Sequence, residues 1–206
     1  MSLEARSLTF RYPRRGQGPV LEHVNLTLEP GERVGLTAPS GRGKTTLCKL
    51  LAGYESPTAG EVLLDSRPLS QYRGACPVQM IWQHPETVLD PLLPLEESLK
   101  EAGPVEERLL EELHIQPQWL RRYPQELSGG ELQRFCIARA LHPQTRFLLC
   151  DEISAMLDLV TQAQIWRLLL EEAERRDLGL LVISHDSALL RQVCTRMESL
   201  SGLGRT

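Results

Sequence analysis

One stretch of this sequence reads Ala38-Pro39-Ser40-Gly41-Arg42-Gly43-Lys44-Thr45-Thr46, and its glycines, lysine and threonines indicate the class of fold. An apolar run, Val34-Gly35-Leu36, precedes this stretch, and a helical pattern from Leu47 to Ala52 follows it. A glycine-rich loop between a strand and a helix, closed by Lys and Thr, is typical of a phosphate-binding loop. The sequence therefore predicts that this stretch binds the phosphates of a nucleotide.

The residue types of the loop suit that chemistry. Gly41 and Gly43 allow the backbone to bend so that successive N–H groups face one hollow, where the following helix adds the positive end of its dipole. Lys44 can reach the terminal phosphates, and the Thr45 hydroxyl can bind Mg²⁺. Position 38 carries alanine where the usual pattern has glycine, so we predict a negative φ for Ala38, at which a methyl group is harmless. The alternative interpretation is a glycine-rich turn that binds nothing.

Length and composition limit the class of protein. The chain has 206 residues, a formal net charge of −4 and five cysteines without a C-x-x-C pair. These values predict one domain with a real core, no basic excess for nucleic acid, and reduced thiols of a cytosolic protein. The N-terminus, Met1 to Arg6, has no apolar signal segment, and no apolar run approaches the length of a membrane span. We therefore expect any membrane role to require a partner.

Strand-like and helix-like segments alternate along the chain, which predicts a largely parallel sheet with helices packed on it. The predicted strands are Leu8–Tyr12, Val20–Leu28, Glu61–Asp65, Pro77–Trp82, Arg146–Cys150 and Leu178–Ser184. The predicted helices are Leu95–Ala102, Val105–Leu113, Ser128–Leu141, Ile165–Ala173 and Ser187–Cys194.

A stretch punctuated by prolines and rich in Leu and Glu, residues 86–141, is predicted to be a helical insertion in a single domain. Residues 1–85 and 142–206 would then form the core of that domain. Ser128 is expected to cap the last helix of the insertion, with Glu131 three residues later as in a capping box. Four carboxylates of the insertion fit a solvated helix face better than a metal site; they are Glu106, Glu107, Glu111 and Glu112.

Polar side chains follow three of the predicted strands, namely Gln83, the pair Asp151-Glu152, and His185. In an open parallel sheet the ligand lies at the carboxyl ends of the strands, where the phosphate loop also lies. Phosphoryl hydrolysis needs a metal, a positioned water and a group that deprotonates or orients this water. Asp151 and Gln83 suit the metal and its water, Glu152 suits the base, and His185 can bind the γ-phosphate and hold Glu152.

On these residues the chain resembles the ATP-binding subunits of ABC transporters, from Leu3 to about Val193. The resemblance rests on the phosphate loop, on Gln83, and on the signature Leu127-Ser128-Gly129-Gly130-Glu131-Leu132-Gln133-Arg134. It also rests on three later segments, which are Phe147-Leu148-Leu149-Cys150-Asp151-Glu152, Ile153-Ser154-Ala155-Met156-Leu157-Asp158 and Ile183-Ser184-His185-Asp186.

The resemblance implies an α/β fold: a P-loop NTPase core with a mainly parallel sheet, an N-terminal antiparallel β subdomain and a helical insertion lobe. It implies an ATPase that binds ATP and Mg²⁺ between two subunits in a head-to-tail homodimer, or heterodimer with a related ATPase subunit. One subunit supplies its phosphate loop and the other supplies Ser128, Gly129, Gly130 and Glu131. Asp158 would lie in the segment that crosses the interface. Tyr12 would stack on adenine, although its position alone is equally typical of an ordinary strand aromatic.

The same resemblance implies integral membrane permease subunits, an indirect solute-binding protein and a location at the cytoplasmic face of the membrane, with no nucleic acid as partner. Val78 to Pro85 and Leu89-Asp90-Pro91 are most similar to subunits of peptide and nickel importers. Whether the solute is a peptide, nickel or another metal chelate stays open, and the histidines form no metal-ligand pattern.

Some residues depart from the family pattern. Glu131 stands where Gln is commoner, and Ile153 stands where Pro is common. Met197 to Thr206 is similar to a remnant of the usual closing strand. Two other functions share part of this sequence pattern: a soluble ABC-type ATPase acting on nucleic acid or ribosomes, and a nucleotide-binding regulatory module without turnover. Chains of the first class usually carry long coiled coils or tandem domains, and this sequence shows neither; the intact Glu152 and His185 argue against the second function.

Overall fold

The computed structural model describes residues 2–13, 18–155 and 157–203. The strands are β1 (Leu3–Phe10), β2 (Leu21–Leu28), β3 (Arg33–Thr37), β4 (Ala59–Leu64), β5 (Arg67–Pro68), β6 (Val78–Ile81), β7 (Phe147–Asp151), β8 (Gly179–Ile183) and β9 (Arg196–Ser199). The helices are α1 (Lys44–Leu51), α2 (Leu95–Glu101), α3 (Glu107–Glu112), α4 (Gly129–Ala140), α5 (Leu159–Arg176), α6 (Ser187–Val193) and α7 (Leu200–Leu203).

The larger sheet is parallel throughout and has the strand order β6-β7-β8-β3-β9. Ile183 of β8 pairs with Leu36 of β3 on one side and with Asp151 of β7 on the other. Ile81 of β6 pairs with Cys150 of β7. Because this register aligns the carboxyl ends of four strands, the residues that follow them meet at one edge. Every residue of β7 and β8 is buried, which confirms the predicted parallel sheet.

The smaller sheet is antiparallel and has the order β2-β1-β4-β5. The alternation predicted for β2 is confirmed, since Val24, Leu26 and Leu28 are buried while the residues between them are exposed. The boundaries predicted for the first strand are wrong. It starts at Leu3, which pairs with Leu28 and Leu64, and it ends at Phe10, so Tyr12 lies beyond the strand.

The two faces of the parallel sheet pack into two hydrophobic cores. Leu148 and Cys150 of β7 face the core that α4, α5 and α6 cover, and buried leucines of α2 and α3 join this core. Phe147 and Leu149 face the other core, which α1 and the antiparallel sheet cover. The strand alternation of period two thus places one layer on each side of the sheet.

Helix caps explain where α4 and α5 begin. The Ser128 hydroxyl accepts from the Glu131 N–H and the Glu131 carboxylate accepts from the Ser128 N–H, which confirms the predicted capping box. Helix α5 begins at Leu159, six residues before the predicted start at Ile165, because the Asp158 carboxylate caps it. Leu159 is 83 % exposed, so apolar periodicity did not reveal this first turn.

The described C-terminal segment forms β9, which pairs with β3, followed by the short helix α7. The strand agrees with the expected closing strand, whereas α7 was not predicted. Residues 204–206 of that expectation lie outside the described residues.

Candidate functional site

The phosphate loop connects β3 to α1 with two glycines in the left-handed region, at φ 73° for Gly41 and 93° for Gly43. A Cβ at Gly43 would meet side-chain atoms of Leu21 and Val20 at 2.9 Å, so both φ and space require glycine there. Among the described residues, Ala38 is not one of those with positive φ, which confirms the prediction for this position.

Lys44 is the first residue of α1 and has only 7 % of its surface exposed. Its ammonium Nζ donates to the carbonyl oxygens of Ala38 at 2.8 Å and Pro39 at 3.4 Å, so the side chain lies across the loop. Tyr12 is half-buried beside α1, with its hydroxyl 3.2 Å from Thr46 Oγ1 and its ring edge-on to Phe10. Although Tyr12 lies outside the strand, it adjoins the loop.

The Glu152 carboxylate lies between two side chains that follow β6 and β8, the strands on either side of β7. Gln83 Nε2 donates to Glu152 Oε2 at 3.2 Å, and His185 Nε2 lies 3.0 Å from Glu152 Oε1. The structure therefore brings together three residues that the sequence predicted to meet at the sheet edge. Together these contacts orient both carboxylate oxygens.

The Glu152 backbone is also unusual, since its φ of 51° is in the left-handed region that non-glycine residues rarely adopt. Its N–H donates to the carbonyl of Ile183, which ties this turn to the end of β8. Such strain persists only where surrounding contacts enforce it, and it concentrates at functional sites.

Asp151 is the last residue of β7 and is almost fully buried. Burial raises the pKa of its carboxyl group, and the charge of Glu152 raises it further. A hydrogen bond with the Thr45 side chain and the Lys44 charge act in the opposite direction. A desolvated carboxylate of this kind gains free energy from a nearby cation. The structure thus joins the end of β7 to the loop.

The residues at this edge fit a magnesium ion. Mg²⁺ prefers hard oxygen ligands, and this edge offers the Asp151 carboxylate and the Thr45 hydroxyl side by side. Since the Gln83 amide nitrogen donates to Glu152, its carbonyl oxygen is left as a third oxygen of the same kind.

The segment Ser128-Gly129-Gly130-Glu131 of the signature, called the Ser128 motif, lies on the surface at the start of α4. Ser128 and Gly129 are exposed, Gly130 is half-buried, and a Cβ built at Gly129 meets nothing within 4 Å. The Ser128 hydroxyl donates to Glu131 Oε2 at 2.8 Å, and hydrogen bonds from the Ser128 backbone and hydroxyl lower the pKa of Glu131. The motif is therefore open to a second molecule.

Asp158 has a structural partner that the sequence interpretation did not include. Its carboxylate accepts from the N–H groups of Val160 and Thr161 and from the Thr161 hydroxyl, so it caps α5. The hydrogen bonds from Thr161 and Val160 lower the pKa of this exposed group. Met156 of the same segment lies outside the described residues.

Two buried polar residues were not singled out as functional from the sequence. Gln133 of α4 donates to the carbonyl of Trp82, and Glu172 of α5 pairs with arginines of α3 and α5. The available signal was a polar residue within a run of helical positions that are otherwise apolar. Their partners are distant in sequence, so only the fold reveals what they bind.

Residues 21–155 match the protein family described as ABC transporter. The chain belongs to the ABC transporter family. It is 35 % identical over 208 residues to the nickel import system ATP-binding protein NikE of Staphylococcus aureus strain bovine RF122 / ET3-1, covering 95 % of this chain and 84 % of NikE. NikE of S. aureus strain MRSA252 is 34 % identical with the same coverage.

A solved structure described as the dimeric structure of MJ0796, a bacterial ABC transporter cassette, has the same fold, with a TM-score of 0.83 and 25 % identity. The match covers 96 % of this ABC family chain and 93 % of that cassette. A second structure of MJ0796, in a dimeric post-hydrolysis state bound to ADP and Pi, matches with the same values. These neighbours confirm the predicted fold class, with its parallel and antiparallel sheets.

Proposed function

We propose that this chain is the ATP-hydrolysing subunit of an ABC import complex and that Glu152 is its catalytic base. The observation that carries the proposal is the Glu152 carboxylate held between Gln83 and His185, at the sheet edge where the phosphate loop also lies. The similar chains named nickel import ATP-binding proteins, and the neighbour bound to ADP and Pi, support the same activity.

Different residues of the site would bind the phosphates, hold the metal ion and accept the proton during ATP hydrolysis. The N–H groups of the loop and the Lys44 ammonium hold the phosphates, with Pro39, Ser40 and Arg42 forming the rest of the cradle. Thr45, Asp151 and Gln83 would hold a Mg²⁺ ion, which would supply positive charge against the negative charge that develops on the phosphates. Glu152 accepts the proton of the attacking water, while His185 keeps the carboxylate oriented.

The site is completed by a second subunit. Ser128 and the N–H groups of Gly129 and Gly130 form an anion site at the start of a 12-residue helix, and they are exposed. They would bind the nucleotide held by the loop of the partner, which is a second copy or a related ATPase subunit. Tyr12 would stack on the adenine, and Asp158 would stand near the interface. The dimeric state of the MJ0796 cassette supports this arrangement.

ATP hydrolysis by this chain would power transport through separate membrane subunits, which the chain would contact at the cytoplasmic face of the membrane. In the part of the chain that the structure describes, no helix has the length and apolar character needed to cross a bilayer. Residues 86–141 would form the helical lobe that contacts the permease subunits, and a solute-binding protein would deliver the cargo. The names of the similar chains favour nickel as that cargo over a peptide or another metal chelate.

Glu152→Gln tests the proposal. The amide keeps the size of the side chain and one acceptor oxygen but cannot accept the proton, so we expect phosphate release to fall by at least about 100-fold. ATP should stay bound, and dimers should accumulate in size-exclusion chromatography with MgATP. Glu174→Gln, on an exposed face of α5, should match the wild type. Near-normal phosphate release by Glu152→Gln would remove Glu152 from the role of base.

A further inference from the structure

Gln133 is a buried polar residue that none of the proposed catalytic roles uses. It lies on α4, the helix that begins directly after Ser128, and only 3 % of its surface is exposed. Its side-chain Nε2 donates a hydrogen bond of 3.2 Å to the backbone carbonyl of Trp82. A buried amide without a partner costs free energy, so this contact fixes the Gln133 side chain on one point of the backbone. The bond ties α4 to the segment that follows β6.

The carbonyl that Gln133 binds belongs to the peptide unit that ends at the Cα of Gln83. A peptide unit is planar and rigid, so the position of the Trp82 oxygen constrains the position of the Gln83 Cα. The Gln83 side chain in turn donates to Glu152 at 3.2 Å. A single rigid peptide unit therefore links the Gln133 contact on α4 to Gln83, the residue that touches the proposed base Glu152.

Other contacts hold the same segment on both sides. The Trp82 ring lies with its centroid 5.3 Å from Lys49 Nζ and 5.1 Å from the Tyr54 ring, so it packs against α1 and the residues that follow this helix. On the other side, Cys136 Sγ, one turn beyond Gln133 on α4, approaches the Pro85 carbonyl at 3.9 Å. The segment from 82 to 85 thus connects the helix of the phosphate loop with the helix of the Ser128 motif.

We propose that Gln133 is a positioning residue that couples the Ser128 end of α4 to Gln83 and, through Gln83, to Glu152. This inference rests on the proposed function, in which Ser128 to Gly130 bind the nucleotide of the partner subunit. A shift of α4 on that binding moves the Trp82–Gln83 peptide with it, because helix and peptide plane are both rigid. Occupancy of the partner's site then adjusts the contact between Gln83 and Glu152 in the same subunit.

Gln133→Met in the full chain tests the coupling, because methionine keeps the length of the side chain and removes the donor. We expect kcat for MgATP to fall about tenfold while KM for ATP stays within about twofold, since positioning and not binding is impaired. Without nucleotide, hydrogen exchange of the backbone amides in a peptide covering 83–88 should be roughly tenfold faster.

Gln79→Met is the matched control. Gln79 lies on β6 and its Nε2 also donates to a backbone carbonyl, that of Cys76 at 2.8 Å, so the same bond is lost three residues before Trp82. This bond does not involve α4, and the variant should match the wild type in kcat and in exchange of 83–88. If Gln133→Met does not fold, Gln133→Asn, which retains the amide but is too short to reach, replaces it.

A double-mutant cycle separates positioning from a general loss of stability. If Gln133 acts through Gln83, adding Gln133→Met to Gln83→Ala leaves kcat at the value of Gln83→Ala alone. Multiplying effects would overturn the inference, as would a Gln133→Met variant with wild-type kcat and exchange. A wild-type chain that releases no phosphate would instead reject the proposed function, and the exchange measurement would still decide whether Gln133 holds the segment.

Discussion

Glu131 and Ser128 form hydrogen bonds with each other at the start of α4. Glu131 Oε2 accepts from both the N–H and the hydroxyl of Ser128, at 2.7 and 2.8 Å. A hydroxyl has one proton, so Ser128 cannot donate it to a phosphate while it donates to Glu131. The carboxylate also adds negative charge beside a proposed anion site. The departure from the commoner Gln thus has a physical consequence for nucleotide binding.

Glu131→Gln is expected to lower KM for ATP by about threefold, because a neutral amide neither repels phosphate nor holds the Ser128 proton as strongly. The helix should lose roughly 0.5 kcal/mol of stability, since a carboxylate in the first turn favours the helix dipole. Because the pKa of Glu131 is lowered, the group stays ionised at neutral pH, and the KM difference should be constant between about pH 6 and 8.

Steady-state ATPase assays and thermal unfolding measure both effects. Glu126→Gln is the control, because Glu126 accepts from the Tyr123 N–H in a similar cap outside the Ser128 motif. An unchanged or higher KM in Glu131→Gln would contradict the competition between Glu131 and phosphate for Ser128.

Glu172 connects three elements of the fold through buried charge. Its carboxylate, 1 % exposed, pairs with Arg108 of α3 at 2.5 Å and with Arg175 of α5 at 2.8 Å. Arg176, 3.7 Å from the same carboxylate, also donates to the carbonyls of Leu141 and His142 at the end of α4. This node of ion pairs and hydrogen bonds around Glu172 therefore fixes α3 and the end of α4 to α5.

Glu172→Gln should destabilise the chain by about 2 kcal/mol, because it leaves charged donors without their anion. For a chain of this size that lowers the midpoint of thermal unfolding by roughly 4–8 °C. The neighbouring Glu171→Gln is the control, since its pair with Arg167 at 3.6 Å is exposed and should contribute almost nothing. Equal melting temperatures for the two variants would exclude a stabilising role for the node.

The same node predicts a pH dependence of stability. Burial raises the pKa of Glu172, but hydrogen bonds from Arg175 and Arg108 outweigh burial, so the pKa lies below its ordinary value of 4.5. A depressed carboxyl pKa stabilises the folded state above the unfolded pKa, and this contribution is lost as the pH falls through the folded pKa. The wild type should have a larger free energy of unfolding than Glu172→Gln. This difference should be complete at pH 7 and should shrink progressively below about pH 4.5.

Sequence patterns predicted the elements that local chemistry encodes. Three features depend on residues within a few positions of one another, so the sequence alone predicts them. They are the loop glycines, the apolar strands β7 and β8, and the capping box at Ser128. The start of α5 was missed because its cap is one Asp before an exposed Leu. The partner of Gln133 was missed because 51 residues separate it from Trp82, and periodicity carries no information at that range.

In the proposed dimer each nucleotide site uses residues of two subunits. The phosphate loop and the Ser128 motif are at the starts of two different helices, α1 and α4, and Ser128 and Gly129 are exposed. In a symmetric dimer a surface that binds the partner is also bound by it, so two equivalent composite sites would form. Defects in the loop and in the motif should therefore complement each other.

Lys44→Ala and Ser128→Arg test this directly, because each variant alone should be nearly inactive. The first loses the ammonium that binds the phosphates, and the second fills the anion site with a bulky side chain. In a 1:1 mixture half of the dimers would be mixed, and each mixed dimer would contain one intact site, so phosphate release should recover to about a quarter of the wild-type rate. A mixture of Lys44→Ala with the double variant Lys44→Ala/Ser128→Arg contains no intact site and is the control. If the first mixture stays as inactive as this control, each site is built within a single subunit and the head-to-tail dimer is rejected.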